Sequence, residues 1–254
     1  VTFYRNTSSS DTTTATQTFT YGVSGQKFTN KGWSKTGSTQ VGWATSASGA
    51  YFHPVTSGVA DSWINTYSPS RKLYAVWVEH PTITLTNTPT TAVNGYLKKQ
   101  VATVTYPTTN LTTPVYYIKT TRAGVSNIGV TSSCGTGTNP GTCSTITSTT
   151  SLAANTWYKV SGNLTVTYTA ASTSEGTIYA YAYDGTAKRT SKTATISKID
   201  TTGPNASIAT SVKTDRATVT ATCSDAEANT ITKYEFSKDN GATWVANGTT
   251  ASYT

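Results

Sequence analysis

The 254-residue chain has no methionine, two histidines, three cysteines and only 11 acidic residues. Charged side chains make up 12% of it, about half the share of an ordinary globular protein. Metal ligation and acid–base catalysis draw on His, Cys, Asp and Glu, so their scarcity leaves few ways to build either. His53 and His80 each precede a proline, at no metal-binding spacing. No G-x-S-x-G elbow marks a nucleophile among the many serines, and no phosphate-cradling glycine loop or dinucleotide fingerprint is present. The expectation is a protein that is not an enzyme and carries no cofactor. No apolar run is long enough to span a bilayer, and Val1 opens directly into a strand-like segment with no signal peptide. A processed chain or a fragment of a longer protein is expected.

The cysteines carry the compartment argument. Cys134 and Cys143 bracket "GTGTNPGT", which is turn chemistry throughout. Their separation is too wide for a zinc turn, and no C-x-x-C lies near a βαβ pattern. Two unpaired thiols or a metal remain alternatives, and a disulfide between Cys134 and Cys143 is the preferred reading. Closing about ten residues stabilises by about 2.5–3 kcal/mol in the chain-entropy account. A disulfide implies an oxidising, extracellular location.

What the chain has in excess is threonine, nearly a quarter of all residues, together with 16 tyrosines. Both favour pleated, half-buried surfaces, so the chain is expected to be mainly all-β. The net charge of +8 comes from scattered basic residues, grouped no more tightly than Arg71–Lys72, Lys98–Lys99 and Lys188–Arg189. That pattern does not concentrate charge on one face, so no nucleic-acid partner is expected, although an anionic surface would attract the chain.

Two proline-containing joints, "VEHPTITL" and "TTGPNAS", divide the chain into residues 1–79, 80–200 and 201–254. In the middle segment "NLTVTYT" alternates Leu164, Val166 and Tyr168 with threonines. "TIYAYAYDG" alternates Tyr179, Tyr181 and Tyr183 with Ile178, Ala180 and Ala182, and Asp184–Gly185 predicts a hairpin turn. Further strands are predicted in "ITLTN", "KKQVATVTY", "PVYYIKTT" and "TWYKV". About seven short strands fit an immunoglobulin-like β-sandwich, with the cysteine loop closed locally between strands. In the last segment "ATVTATCS" places Val219, Ala221 and Cys223 on an inward face, with Cys223 buried. "ITKYEFSKDNGATWV" predicts two strands around a turn at Asp239–Asn240–Gly241. That segment is too short for a complete sandwich.

The first segment resembles a known family. "VTFYRN", "QTFTYG", "GWSKTGSTQVGWATSASG" and "RKLYAVW" look like the internalin-type B repeat, also called the Listeria–Bacteroides repeat. The resemblance covers about 75 residues and departs between Tyr51 and Ser70. It implies a small β-grasp-like module of secreted or wall-attached bacterial proteins. Phe3, Tyr21, Trp43, Leu73, Tyr74 and Trp77 read as its core. "TIYAYAYDG", "ISKIDTTGP" and "KYEFSKDNGATW" resemble the immunoglobulin-like domains of large surface proteins of Gram-positive bacteria. An internal Lys–Asn isopeptide bond, known in such sandwiches, has Lys159 and Asn163 as candidates. No wall-sorting motif lies within the chain.

Candidate sites follow from what remains. Trp33, Tyr51, Trp63 and Tyr67 are candidate ligand-facing aromatics. Asp225, Glu227, Asp239 and Asn240 are candidate calcium ligands on loops, although Asx turns account for them without a metal. The expected function is a non-catalytic, modular stretch of a bacterial surface protein acting as adhesin or stalk. Its expected partners are surface glycans or proteins and further domains of the same polypeptide. A carbohydrate-binding accessory region of a large secreted enzyme and a self-assembling filament subunit are the alternatives.

Overall fold

The computed structural model describes residues 1–49, 53–55, 71–93, 95–185, 188–226 and 231–254. The chain is all-β, with no helix among the described residues. It forms two compact units. One comprises Val1–Leu85, Ala102–Val166 and Thr177–Thr195, and the other Thr86–Val101, Thr167–Gly176 and Ile196–Thr254.

The first sheet joins β1 (Thr2–Tyr4), β2 (Thr14–Thr16), β3 (Ser38–Ala44), β4 (His53–Pro54) and β5 (Lys72–Glu79). Their order is β2-β1-β5-β3-β4, with a parallel β1–β5 pair between antiparallel neighbours. That is a grasp-like mixed sheet. Phe3 and Leu73 face each other across the parallel pair and are fully buried with Trp43, Phe28, Ala75 and Trp77. The two indoles are anchored as well as packed. Trp43 Nε1 donates to the Val55 carbonyl at 3.2 Å and Trp77 Nε1 to the Arg5 carbonyl at 2.7 Å.

Two expected core residues lie elsewhere. Tyr21 is 70% exposed, because it sits in a turn closed by Gly22 at a φ of 76°, and Phe28 fills the core instead. Tyr74 is half-buried on the face opposite Leu73, as the twofold periodicity of a strand requires. It stacks on Tyr4, its register partner, at 4.8 Å.

The second sheet contains β6 (Thr82–Thr88), β8 (Lys99–Thr105), β9 (Val115–Thr120), β10 (Gly124–Ser133), β11 (Ser144–Leu152), β12 (Trp157–Val160), β13 (Leu164–Tyr168), β14 (Gly176–Asp184) and β15 (Lys188–Ile196). The order is β15-β14-β9-β12-β10-β13-β8-β6, and β11 pairs with β10. Alternation places Ala102, Val104, Ile118, Leu164, Val166, Tyr168, Ile178, Ala180 and Ala182 inside. β10 and β11 are not signalled in the sequence. Their Ser, Thr and Gly content carries no apolar alternation, and the ladder between them is broken by register shifts. β7 (Tyr96–Leu97) and β16 (Lys198–Ile199) form a short parallel pair.

The remaining strands are β17 (Asn205–Val212), β18 (Ala217–Ser224), β19 (Glu235–Phe236), β20 (Val245–Ala246) and β21 (Ser252–Tyr253). β17-β18-β21 make a three-stranded sheet, and β19–β20 a two-stranded one. Asn240 and Gly241, at positive φ, turn the chain between β19 and β20. Val219, Ala221 and Cys223 do share a face of β18, but Cys223 is half-buried rather than buried. The sheet is too narrow to bury that face completely.

Candidate functional site

Cys134 and Cys143 are disulfide-bonded. Cys134 directly follows β10 and Cys143 directly precedes β11, so the bond closes a hairpin loop within one sheet. The loop is fixed to the start of β12. Cys134 N donates to the Trp157 carbonyl, Trp157 N to the Gly135 carbonyl and Gly141 N to the Cys134 carbonyl, each at 2.8 Å. The Gly137 carbonyl then accepts both Trp157 Nε1 and Lys119 Nζ, each at 2.9 Å.

Those contacts place the loop at one end of an aromatic face. In register across β12, β9 and β14 run two rows: Trp157, Lys119 and Tyr179, then Lys159, Tyr117 and Tyr181. Val115 and Tyr183 form a third. Because the intervening residues Ile118, Tyr158, Ala180 and Ala182 point inward and are buried, these rows share the opposite side of the sheet, where the disulfide loop covers Trp157. The four tyrosines are half-buried and Lys159 is exposed. Trp157 meets Tyr179 and Tyr181 edge to face, at 6.2 and 6.1 Å, and Tyr117 meets Tyr181 at 6.2 Å. Lys119 Nζ lies over the rings of Trp157 and Tyr179, at 5.2 and 5.1 Å. No carboxylate belongs to the three rows. Burial raises the Tyr117 phenol above its ordinary value, with smaller contributions from Tyr183 and Tyr181. The surface thus offers ring faces, phenol groups and two ammonium groups within one rigid ladder. Such a surface suits polyhydroxylated ligands that present both apolar C–H faces and hydroxyls.

The aromatics singled out from the sequence lie in the first sheet's part of the chain. Trp33 is half-buried and packs edge to face on Trp43 at 5.9 Å, at the margin of the core. Tyr51, Trp63 and Tyr67 lie outside the described residues. The tyrosine alternation of β14 is legible in the sequence, whereas its partners in β9 and β12 are not. The signal was the spacing of Tyr117 and Lys119 in "VYYIKT" and of Trp157 and Lys159 in "TWYKV".

The candidate calcium ligands are not brought together. The Asp239 carboxylate is taken up by its own turn, accepting Thr243 N and Ser237 Oγ, each at 2.8 Å. First the Thr243 hydroxyl, which donates to the other carboxylate oxygen, and then those two bonds hold its pKa at about 2. Asn240 occupies the left-handed position of that turn. Asp225 lines a different cavity beside Asp200, Lys98 and Lys233, and Glu227 lies outside the described residues. Among the described residues, no three His, Cys, Asp or Glu side chains gather. Lys159 and Asn163 do not form an isopeptide pair: Lys159 is exposed, while Asn163 Oδ1 accepts Tyr106 N at 2.8 Å. His53 is half-buried against Phe28, and burial lowers its pKa. His80 Nε2 is hydrogen-bonded to Thr39 Oγ1 at 2.9 Å.

A second arrangement bears on how the first sheet is held. The loop between β8 and β9 reaches back to β5, where Asn110 Nδ2 donates to the Trp77 carbonyl at 2.7 Å. Leu111 packs against buried Val41, Ala44, Val76 and Val78. The Asp184 carboxylate, at the end of β14, accepts Thr112 N at 2.6 Å and both Thr113 N and Oγ1. The proline joint at Pro81 is therefore bridged by a fixed loop.

Compared with known protein families, with curated proteins and with solved structures, the chain matches none.

Proposed function

We propose that this chain is a non-catalytic, modular stretch of a secreted or wall-attached bacterial surface protein, acting as an adhesin whose contact surface is the tyrosine face of β14, β9 and β12. The observation that carries the reading is the register of Tyr179, Tyr181, Tyr117, Lys119 and Lys159 on one surface, braced by the disulfide loop. Tyrosine combines apolar area with a polar tip at modest ordering cost, and lysine adds an apolar stem with a charged tip, which suits repeated weak contacts with surface glycans. The disulfide fits an extracellular location. The internalin-type B repeat and the immunoglobulin-like assignment of the later segments belong to the same proposal. The loop of Asn110 and Leu111 favours a stalk role beside adhesion, because it stiffens the chain across the Pro81 joint.

The experiment passes the labelled 254-residue chain over immobilised glycans, mucin and host-matrix proteins, beside Tyr181→Ser and Lys159→Ala. Saturable binding that falls about tenfold or more in Tyr181→Ser, with unchanged far-UV circular dichroism, supports the reading. Binding indifferent to both substitutions removes the tyrosine face from the proposal. The accessory role in a larger enzyme predicts the same binding, restricted to that enzyme's polysaccharide.

A further inference from the structure

The second sheet is short of acids. Its nine strands contain one carboxylate, that of Asp184. That group is turned to the loop between β8 and β9, where it accepts Thr112 N, Thr113 N and Thr113 Oγ1. The tyrosine face therefore carries positive charge with no acid to balance it. Lys119 pairs with Trp157, and Lys159 pairs with Tyr117, across β9 and β12. The two lysines are thus diagonal neighbours, with Cα atoms about 7–8 Å apart. Neither is ion-paired among the described residues. Lys119 gives one of its three N–H groups to the Gly137 carbonyl and keeps two.

The row through Lys159 extends beyond the tyrosines. Lys159 pairs with Ser132, and Ser132 with Thr145. Thr145, Ser132, Lys159, Tyr117 and Tyr181 therefore lie in line across β11, β10, β12, β9 and β14. Four strand spacings make that line about 19 Å long. All five side chains are half-buried or exposed, and every one can donate a hydrogen bond.

We infer that this face takes anionic glycans: saccharide chains bearing carboxylate or sulfate groups, laid along the row from Thr145 to Tyr181, with acidic groups held at Lys159 and Lys119. The inference rests on the adhesin reading of the same face and narrows its ligand. Charge complementarity selects the occupant. The chain as a whole carries +8, so it draws polyanions, and the face adds two ammonium groups with no competing carboxylate. Lysine is a point charge with three rotatable donors, which suits either acidic group. Ring edges and phenols serve the sugar between those groups. A single-stranded nucleic acid, another polyanion, needs open ring faces on which its bases stack. Here Trp157, Tyr117, Tyr179 and Tyr181 meet edge to face at 63° to 67°, and the disulfide loop covers Trp157.

The test titrates the 254-residue chain, at low ionic strength, with two matched pairs of polysaccharides. These are polygalacturonate beside its methyl ester, and dextran sulfate beside dextran. The charged member of at least one pair is expected to bind about tenfold or more tightly than its neutral partner. A preference within the first pair assigns carboxylate, and one within the second assigns sulfate. Lys159→Gln is expected to weaken that binding about threefold to tenfold. Lys213→Gln removes the same charge from the exposed turn after β17 and should leave binding within about twofold. Equal weakening by the two substitutions overturns the inference, because net charge alone would then account for binding. Equal affinity for charged and neutral members, lost in Tyr181→Ser, also overturns it while leaving the tyrosine face as a neutral-glycan surface. Tighter binding of a single-stranded oligothymidylate than of any polysaccharide overturns it in favour of nucleic acid. Binding that both Lys159→Gln and Tyr181→Ser leave intact, or no binding at all, removes the face itself and the adhesin reading with it.

Discussion

The indole of Trp157 donates its N–H to the carbonyl of Gly137 at 2.9 Å, across the mouth of the loop that Cys134 and Cys143 close. Trp157 itself is 2% exposed, so the loop acts as its lid, and Lys119 reaches the same carbonyl from the neighbouring strand. The disulfide and the aromatic face are therefore one mechanical unit.

Removing the bond tests that unity. Cys134→Ser with Cys143→Ser is expected to lower stability by about 2.5–3 kcal/mol, the entropy released to a loop of about ten residues. The same double variant frees the lid, so tryptophan emission shifts toward the red before global unfolding. A stability loss without any change in the native emission would show that the loop constrains the chain but does not hold Trp157.

The loop spanning Asn110–Thr113 stands between the first and second sheets, and its contacts define a second expectation. Asp184→Ala removes the acceptor of Thr112 N and Thr113 N, and Leu111→Ala removes the apolar contact with Val76 and Val78. With both changes, a fluorophore on the first sheet's module is expected to lose anisotropy faster, while each sheet keeps its own melting transition. Unchanged anisotropy decay would mean that the Pro81 joint alone sets the geometry.

Strand periodicity made much of the second sheet readable. Leu164, Val166 and Tyr168 alternate with threonines in a single strand, so their burial follows from local pattern. In the first sheet Phe3, Trp43 and Leu73 read as core from their apolar bulk and not from alternation, since four consecutive residues of β3 and four of β5 are buried. Tyr21 was not readable, because a tyrosine beside a glycine has the same local pattern at a strand end as in a turn; only the fold placed Phe28 in the core. β10 and β11 were hidden for a different reason, since Ser–Thr–Gly sequences pair through backbone groups and leave no apolar signature. The tyrosine face was half legible. Tyr179, Tyr181 and Tyr183 declare themselves within one strand, but Tyr117 and Lys159 join them only through the β9–β12 and β9–β14 registers, which sequence spacing does not fix.

Asp11 gives the first sheet an acid-side dependence. Its carboxylate accepts Arg5 Nε and Nη2, Thr7 N and Oγ1, and Thr13 N, and its side chain is 3% exposed. The Arg5 contact first, then Thr7, holds it well below the usual carboxylate range. A carboxylate with a depressed native pKa contributes stability that is complete above its unfolded value of about 3.9 and is lost as pH falls below it. Asp11→Asn is expected to lower the melting temperature by several degrees at neutral pH. The gap to the unsubstituted chain should narrow steadily below about pH 4. A gap that stays constant down to pH 2 would assign the loss to packing and not to the ionised carboxylate.

Tyr106 makes the alkaline counterpart in the second sheet. It is 5% exposed, stacks on Tyr116 at 4.6 Å and donates its hydroxyl to the Tyr117 carbonyl at 2.8 Å. Burial pushes its phenol far above the ordinary value, and burial raises Tyr116 and Tyr117 as well. The folded state therefore keeps protons that the unfolded chain releases near pH 10, so stability is complete below about pH 10 and falls as pH rises beyond it. Tyr106→Phe deletes one hydrogen bond, at a cost of about 0.5–1.5 kcal/mol at neutral pH. It also removes the most strongly perturbed of these phenols, so the variant should lose less stability than the unsubstituted chain between pH 10 and 12. Denaturant titrations at pH 7 and pH 11 measure both terms. If the two chains lose stability equally at pH 11, the alkaline sensitivity resides in the tyrosines of the outer face, and Tyr117→Phe becomes the variant that should relieve it.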